Sequence, residues 1–385
     1  MSVRIVGAGA AGINVLDEWI LLADFPPEGS LACDGEASTV EGSLASEKLL
    51  LAPDLVGGLG CFGSRDLAWR LVGQENQRLD RLLGGCTHLL IVTGLAGATG
   101  ATVAEALSLK AVEREIPTTI FGLLPFPFEA KERREAAEAA RNGFSAEMSL
   151  FLFPTATAMA EGSPSGIAGV RRGLRAFQGA IAQWVDVWLG MANGTVLPVA
   201  QRGEEAFPFA GAGEVENCHV FTEAGASSEP FSLAILESRE FRQVAEKADR
   251  CLACVEEGEG SSGRANALET RLKSHLPSAA RISLFRRKRT RPARNQLLLL
   301  LGQSAYRLSK PVPTERPREE PSKAPAELPI RSRAVPGQEG GSAYSFAENT
   351  PFAKTAATLH KGENLDIPAF CRRRASGGAP RARNL

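Results

Sequence analysis

The sequence predicts an α/β protein with a mostly parallel sheet, a central helix, a second smaller α+β domain, and a disordered C-terminal linker and tail peptide. Three observations lead there. Through the first 190 residues, short apolar runs alternate with amphipathic stretches, the pattern of a sheet covered on both faces. Two strand-to-helix connections in that stretch are glycine-rich. Seven prolines mixed with charges fall between Lys310 and Pro336. Such a segment buries too little apolar surface to offset its ordering entropy.

The elements follow in chain order. Val3 to Val6 is a strand, a glycine turn follows, and Gly12 to Leu22 is a helix. Leu31 to Cys33 is a second strand, and Ser64 to Leu83 has helical periodicity. The strand His88 to Thr93 leads through a second glycine turn into a helix from Thr102 to Arg114. Thr118 to Leu124 is a strand, Glu129 to Arg141 a helix rich in Ala, Glu and Arg, and Leu150 to Phe153 a strand. Gly169 to Leu189 is a long apolar helix. A second block, 195–305, opens acidic, with 13 acids against 5 bases between Gln201 and Gly260. It then turns basic between Arg281 and Arg294 and closes on the strand-like Asn295 to Leu301. Arg242 to Val255 reads as a helix carrying Cys251 and Cys254 on one apolar face.

The composition is ordinary for a globular protein of two to three domains, with 44% hydrophobic and 23% charged residues. Forty-four basic and 44 acidic residues cancel, so overall charge argues for neither nucleic acid nor an anionic membrane as partner. Four histidines make multi-histidine metal chemistry improbable, and no metal ligand is assigned. Seven scattered cysteines suggest reduced thiols in a cytosol. The N-terminus carries no signal-peptide pattern, and no apolar run reaches 18 residues. The run Arg286 to Arg294 reads as a solvated hairpin more readily than as a nucleic-acid or lipid surface, because Phe285 alone could stack there.

The first turn reads Gly7-Ala-Gly9-Ala10-Ala11-Gly12-Ile13-Asn14. Glycines let backbone approach a phosphate, and a helix N-terminus offers free N–H groups and a positive dipole end. Alone it matches the dinucleotide fingerprint, with Asp34 placed as a ribose-binding acid. A Rossmann oxidoreductase and a purely structural glycine turn are therefore alternatives. The second turn, Gly94-Leu-Ala-Gly97-Ala98-Thr99-Gly100-Ala-Thr102, favours a nucleotide held along several strand ends. Gly57-Gly58-Leu-Gly60-Cys-Phe-Gly63 is a third flexible loop able to close over phosphates.

Taken in order, these loops resemble those of the tubulin/FtsZ family. Gly97 to Gly100 is similar to the signature GGGTGTG, Gly7 to Asn14 to the family's first loop, and Gly58 to Gly60 to its third. Pro125 to Arg133 resembles PFxFExxxR, whose acid and arginine contact ribose, which implies Glu129 and Arg133. Leu365-Asp366-Ile367-Pro368-Ala-Phe370 with Arg372 and its neighbours resembles the C-terminal peptide of FtsZ proteins. That peptide docks on membrane-tethering and regulatory division proteins. The resemblance implies a tubulin-like nucleotide-binding domain over 1–190, a C-terminal domain over 195–305, a linker over 306–360 and a docking peptide over 361–385. It implies GTP/GDP with Mg²⁺, self-association into filaments, and a cytoplasmic position at the division site on the inner face of the membrane. A nucleotide-poor scaffold co-assembling with another FtsZ is the alternative from a different class.

Two departures bear on chemistry. The Asn-Asp pair that opens the family's central helix is matched by Gly169-Val170-Arg171, so the acid that reads guanine is replaced by Arg171. Pro154-Thr155 stands where Pro-Asn is usual. The family completes its active site with two acids from the next subunit, at positions matched here by Gly194 and Leu197. No Asp or Glu occurs between Asp186 and Glu204, so no catalytic residue is assigned and weakened hydrolysis is expected. Asp186 is read as a solvated or satisfied acid. Alanines in the turns are expected to narrow the phosphate space and resist positive φ.

Overall fold

A computed structural model of the chain describes residues 2–23, 28–159, 167–199, 207–209, 212–225, 233–257, 264–288, 295–305, 359–360 and 363–364. It divides into two compact units, Met1–Thr314 and Glu315–Leu385. In the second unit, β12 (Leu359–His360) pairs antiparallel with β13 (Glu363–Asn364). The tail residues Leu365, Asp366, Ile367, Pro368, Phe370 and Arg372 lie outside the described residues.

The first unit begins with β1 (Ser2–Ala8), α1 (Gly9–Leu22), β2 (Ser30–Asp34), α2 (Ala37–Gly42) and β3 (Glu47–Leu50). The short helix α3 (Pro53–Val56), then α4 (Arg65–Gln74) and α5 (Asn76–Leu82), lead to β4 (Cys86–Gly94). Next come α6 (Ala98–Val112), β5 (Thr118–Leu124), α7 (Lys131–Gly143) and β6 (Ser149–Pro154). A 3₁₀ turn (Thr155–Met159) precedes the long α8 (Ile167–Ala192). After it come β7 (Val196–Pro198), β8 (Glu214–Gly225), α9 (Arg239–Ala245), β9 (Arg250–Glu257), α10 (Arg264–His275), β10 (Arg281–Lys288) and β11 (Asn295–Ala305).

Eleven strands form one sheet in the order β3-β2-β1-β4-β5-β6-β8-β11-β9-β10-β7. The first six run parallel. Strand β8 joins β6 in parallel over Leu150 and Phe151, β11 runs antiparallel to β8 and β9, and β7 is an antiparallel edge on β10. Parallel strands need crossover helices, and these cover both faces. On one face α1 and α8 bury Leu16, Trp19, Trp184 and Trp188 against Phe121, Phe151 and Phe153 of the sheet. On the other, α4 to α7 bury Leu71, Leu79, Leu107 and Ala140 against Leu31, Ile91 and Leu152. A third cluster joins α9 and α10 to Val255, Leu297, Leu299 and Leu301.

Three sequence readings are corrected. The predicted helix Arg242 to Val255 is α9 followed by β9, so Cys251 and Cys254 sit on a strand. Cys251 enters the cluster with α9 and α10, and Cys254 the cluster with α8 on the opposite face. A short apolar run buried on both faces has no alternation to separate it from a helix. The predicted helical stretch Ser64 to Leu83 is two helices meeting at Glu75, whose carboxylate turns inward to accept from the Ala52 backbone N–H at 3.2 Å. The expected solvated basic hairpin is, up to Lys288, strand β10 inside the sheet, with Arg287 only 3% exposed. Residues 289–294 lie outside the described residues.

Candidate functional site at the carboxyl edge of the sheet

Register sets four strand ends side by side. Ala8 lies opposite Thr93, Gly94 opposite Leu123, and Leu124 opposite Pro154. The turns at Gly7–Gly12 and Gly94–Gly100 leave this edge, and the loop at Gly57–Gly63 folds back on it.

Helix α1 starts directly at the end of β1, and α6 starts at Ala98 after N-cap Gly97. Neither N-cap supplies a side-chain oxygen, and neither first turn holds an acid. The leading N–H groups therefore keep their capacity for an anion, and both positive dipole ends face the same place. Steric demand locks the two turns together. Gly9 has φ +71°, and a Cβ on it would stand 2.9 Å from Gly100 Cα. A Cβ on Gly100 would stand 2.6 Å from the Ala8 carbonyl oxygen, and one on Gly12 would overlap the Val92 carbonyl. These glycines let α1 and α6 approach β1 and β4 closely, besides leaving room for a ligand.

The third loop folds onto the same place. Gly58 and Gly60 have φ +69° and +78°. Ala37 N–H donates to the Gly58 carbonyl at 2.9 Å, and Gly60 N–H to the Gly35 carbonyl at 3.0 Å. Both anchors follow Asp34 at the end of β2. The Thr99 side chain in the first turn of α6 lies near both the Asp34 carboxylate and Cys61 of the third loop and works against the rise in their pKa. Asp34 is 5% exposed and also accepts from Gly35 N–H at 2.7 Å. Burial pushes its pKa up, as it does that of the Cys61 thiol. The reading of Asp34 as an open ribose acceptor does not hold. It is buried and accepts from its own turn, and a period-based reading had no means of seeing that burial.

The alanines in the glycine turns cause no backbone strain. Among the described residues, positive φ outside glycine occurs at Ala52, Phe62, Glu115, Asn217 and Leu233. None of Ala10, Ala11, Ile13, Leu95, Ala96, Ala98 or Ala101 is in that set, so the expected resistance to positive φ does not arise. Ala10 is exposed, Ala11 and Ala98 half-buried, and Asn14 exposed on α1. Ile13 is 1% exposed in the core, so its backbone alone faces the turn.

Glu129 and Arg133 lie farther along this edge. Glu129 Oε1 accepts from Phe126 N–H at 2.7 Å, and Oε2 accepts from Arg133 Nε. Arg133 is exposed, and so is Arg171 near the start of α8. Thr155 begins the 3₁₀ turn and is buried, with no hydrogen-bond partner for its hydroxyl among the described residues. Thr93 and Thr102, beneath the second turn, are also buried with partnerless hydroxyls.

Helix α8 carries the chain away from this edge for about 39 Å, at about 1.5 Å per residue over its 26 residues. At its far end Gly194, with φ +73°, turns the chain into β7, where Leu197 is 56% exposed. Asp186, one and a half turns before that end, is 5% exposed. It pairs with Arg287 of β10, accepts from Trp19 Nε1 at 3.3 Å, and Arg287 also reaches Glu256 of β9 at 3.2 Å. Burial alone would lower the arginine's pKa, but Asp186 and then Glu256 hold it above the ordinary value. Asp186 is thus a satisfied structural acid. The sequence singled out Arg287 only as part of a basic run; its carboxylate partners are 101 and 31 residues away.

Two uncapped helix ends, three converging glycine loops and a parallel sheet define an α/β protein with a tubulin-like fold. Residues 2–153 match the model of the Tubulin/FtsZ family, GTPase domain. It is 30% identical over 138 residues to the cell division protein FtsZ of Methanothermobacter thermautotrophicus, covering 35% of each chain. With the FtsZ of Pseudomonas aeruginosa it shares 26% over 138 residues, 35% of this chain and 34% of that one. The match thus spans about a third of the length of these relatives. Among solved structures it is similar to an empty FtsZ dimer of M. jannaschii, with TM-score 0.64, 16% identity, and coverage of 82% of this chain and 95% of that one. It is also similar to CetZ2 of Haloferax volcanii in a GTPgS-bound protofilament, with TM-score 0.60, 17% identity, and coverage of 80% and 95%.

Proposed function

We propose that the protein binds a guanine nucleotide, GTP or GDP, at the carboxyl edge and assembles head to tail into filaments. The observation that carries this reading is the interlock of Gly9 with Gly100, which sets two uncapped helix N-termini around one space. Backbone N–H groups there suit phosphate oxygens. In this reading Gly9 to Asn14, Gly58, Gly60 and Gly97 to Gly100 hold the phosphates. Glu129 and Arg133 open their mutual ion pair toward the ribose, and Arg171 lies beside the base or a phosphate. A Mg²⁺ ion riding on nucleotide phosphates needs only one or two protein oxygens. The domains act as 1–190 for nucleotide, 195–305 for the opposite end of each subunit, 306–360 as tether and 361–385 as hook for membrane-tethering and division partners. The filament lies on the cytoplasmic face of the membrane at the division site. Among the described residues, no helix is long and apolar enough to cross a membrane.

Hydrolysis is slow in this reading. The far end of α8 presents Gly194 and Leu197, and Asp186 is committed to Arg287 and Trp19. Losing positioned carboxylates removes what orients an attacking water. The same observation favours a second reading, a scaffold that co-assembles with a hydrolysing relative. Sedimentation with GTP, GDP and ATP tests assembly, and phosphate release with Mg²⁺ tests turnover. Pelleting that requires GTP, with release near background, is expected. No pelleting alone but co-pelleting with an FtsZ would select the scaffold. Rapid turnover would overturn the slow-hydrolysis reading.

A further inference from the structure

We infer that the second block, 195–305, binds a small hydroxymonocarboxylate in a cavity between α9 and the paired strands β8 and β11. This site shares no residue with the carboxyl edge and stands apart from the nucleotide reading. The cavity measures about 370 Å³. Asn217 and His219 line it from β8, and Gln243, Val244, Lys247 and Ala248 line it from α9 and the turn after it. Cavities of this size hold small molecules through a few placed polar groups beside apolar surface.

The sheet is deformed where it meets the cavity. Leu301 of β11 lies opposite His219 and Gln303 opposite Glu216, so Asn217 and Cys218 together stand against Gly302. Asn217 occupies the left-handed region, with φ +51°. A bulge of this kind re-aims a side chain, and strained backbone of this kind gathers at ligand sites. Asn217 Nδ2 donates to Gln303 Oε1 at 2.9 Å, and Gln303 Nε2 donates to the Lys247 carbonyl at 3.1 Å. The bulge thereby pins the turn after α9 and leaves Asn217 Oδ1 as an acceptor.

His219 is the second observation. Its ring lies over Phe221, with centroids 6.5 Å apart and planes 17° from parallel. The residue is half-buried, and neither ring nitrogen has a hydrogen-bond partner among the described residues. Burial holds its pKa below the ordinary value, so at neutral pH the ring is uncharged and offers one N–H and one bare nitrogen. Among the described residues that line the cavity, Lys247 alone is charged, and it makes no ion pair with another described residue. The acids nearest in sequence do not line the cavity. Glu216 pairs with Arg141 at 3.3 Å, Asp249 accepts from Ser304 N–H at 2.7 Å, and Glu246 is exposed.

Charge selects the class of ligand. One ammonium balances one carboxylate, whereas a phosphate at neutral pH carries close to two charges. Lys247, the His219 N–H and the Gln243 amide donate to carboxylate oxygens. Asn217 Oδ1 and the bare imidazole nitrogen accept from a hydroxyl, and Val244 and Ala248 cover a short carbon chain.

The test is isothermal titration of the full-length protein with L-lactate, propionate and inorganic phosphate. L-lactate is expected to bind with a dissociation constant of about 1 mM. Propionate, which lacks the hydroxyl, and phosphate should both bind more weakly. Lys247 is exposed, so Lys247→Met removes the charge without disturbing the core. His219→Phe keeps a flat ring over Phe221 and removes both nitrogens. Each variant should weaken lactate about 10- to 150-fold, the span of one hydrogen bond to a charged group, and Lys247→Arg should retain it. No lactate binding up to about 50 mM overturns the inference. Unchanged affinity in Lys247→Met overturns it as well, and so does propionate or phosphate binding as tightly as lactate.

Discussion

The two ends of α8 differ in what divergence has left. At the start, alanines stand beside the glycines of the two turns, yet the turns are held tightly: Gly9, Gly12 and Gly100 stand where a Cβ would collide with backbone. At the far end, the backbone turns through Gly194 and Leu197 faces outward, and among the described residues from Gly194 to Val199 there is no carboxylate. The contrast has a physical origin. Backbone N–H donors survive any substitution that preserves φ and ψ, whereas a water-positioning carboxylate exists only as a particular side chain. A chain can thus lose catalysis by one or two substitutions while its phosphate edge stays intact.

The buried triad near the far end is the strongest place to press this contrast. Replacing Arg287 with Met leaves Asp186 and Glu256 buried without their cation. We expect a loss of about 3–5 kcal/mol, read by urea denaturation. Adding Asp186→Asn and Glu256→Gln should return most of it, because a buried ion network adds little over a neutral one. A triad that served only as a solvated surface would show a loss under about 1 kcal/mol. At the other end, Gly12→Ala drives a methyl into the Val92 carbonyl and should cost about 3 kcal/mol, at the upper end of overpacking, by the same measurement. A near-neutral result would mean that α1 can lift from β4.

Chemistry at the far end can be restored rather than removed. Gly194→Asp with Leu197→Asp should raise phosphate release about a hundredfold over the parent, a usual contribution of positioned acid–base groups. Asp tolerates the left-handed region that Gly194 occupies, so the turn should hold. No gain would show that missing acids are not the limit on turnover. The smallest effect is expected from Ala10→Gly with Ala11→Gly. Neither alanine has positive φ, so GTP affinity should change less than about threefold by titration. A tenfold gain would show that the methyl groups crowd the phosphates after all.

Local pattern carried much of the fold. Alternating strands and helices, the long apolar α8 and the two strand-to-helix glycine turns were legible because each depends on residues within a few positions of one another. The misreadings share one cause. Cys251 to Val255 is continuously apolar because β9 is covered on both faces, and periodicity does not separate that from a helix. Arg287 looks like its basic neighbours in sequence, and only its carboxylate partners on α8 and β9 make it a core residue.

The site divides in the same way. Which strand-to-helix turns are glycine-rich followed from residue identity alone. That Gly9 interlocks with Gly100, that Asp34 is buried, and that Asp186 is committed to Arg287 required the strands to be set in register. The physical reason is range. Turn geometry and helix capping are settled by neighbouring residues, whereas steric interlock and buried charge pairing depend on groups that only the folded sheet brings within a few ångströms.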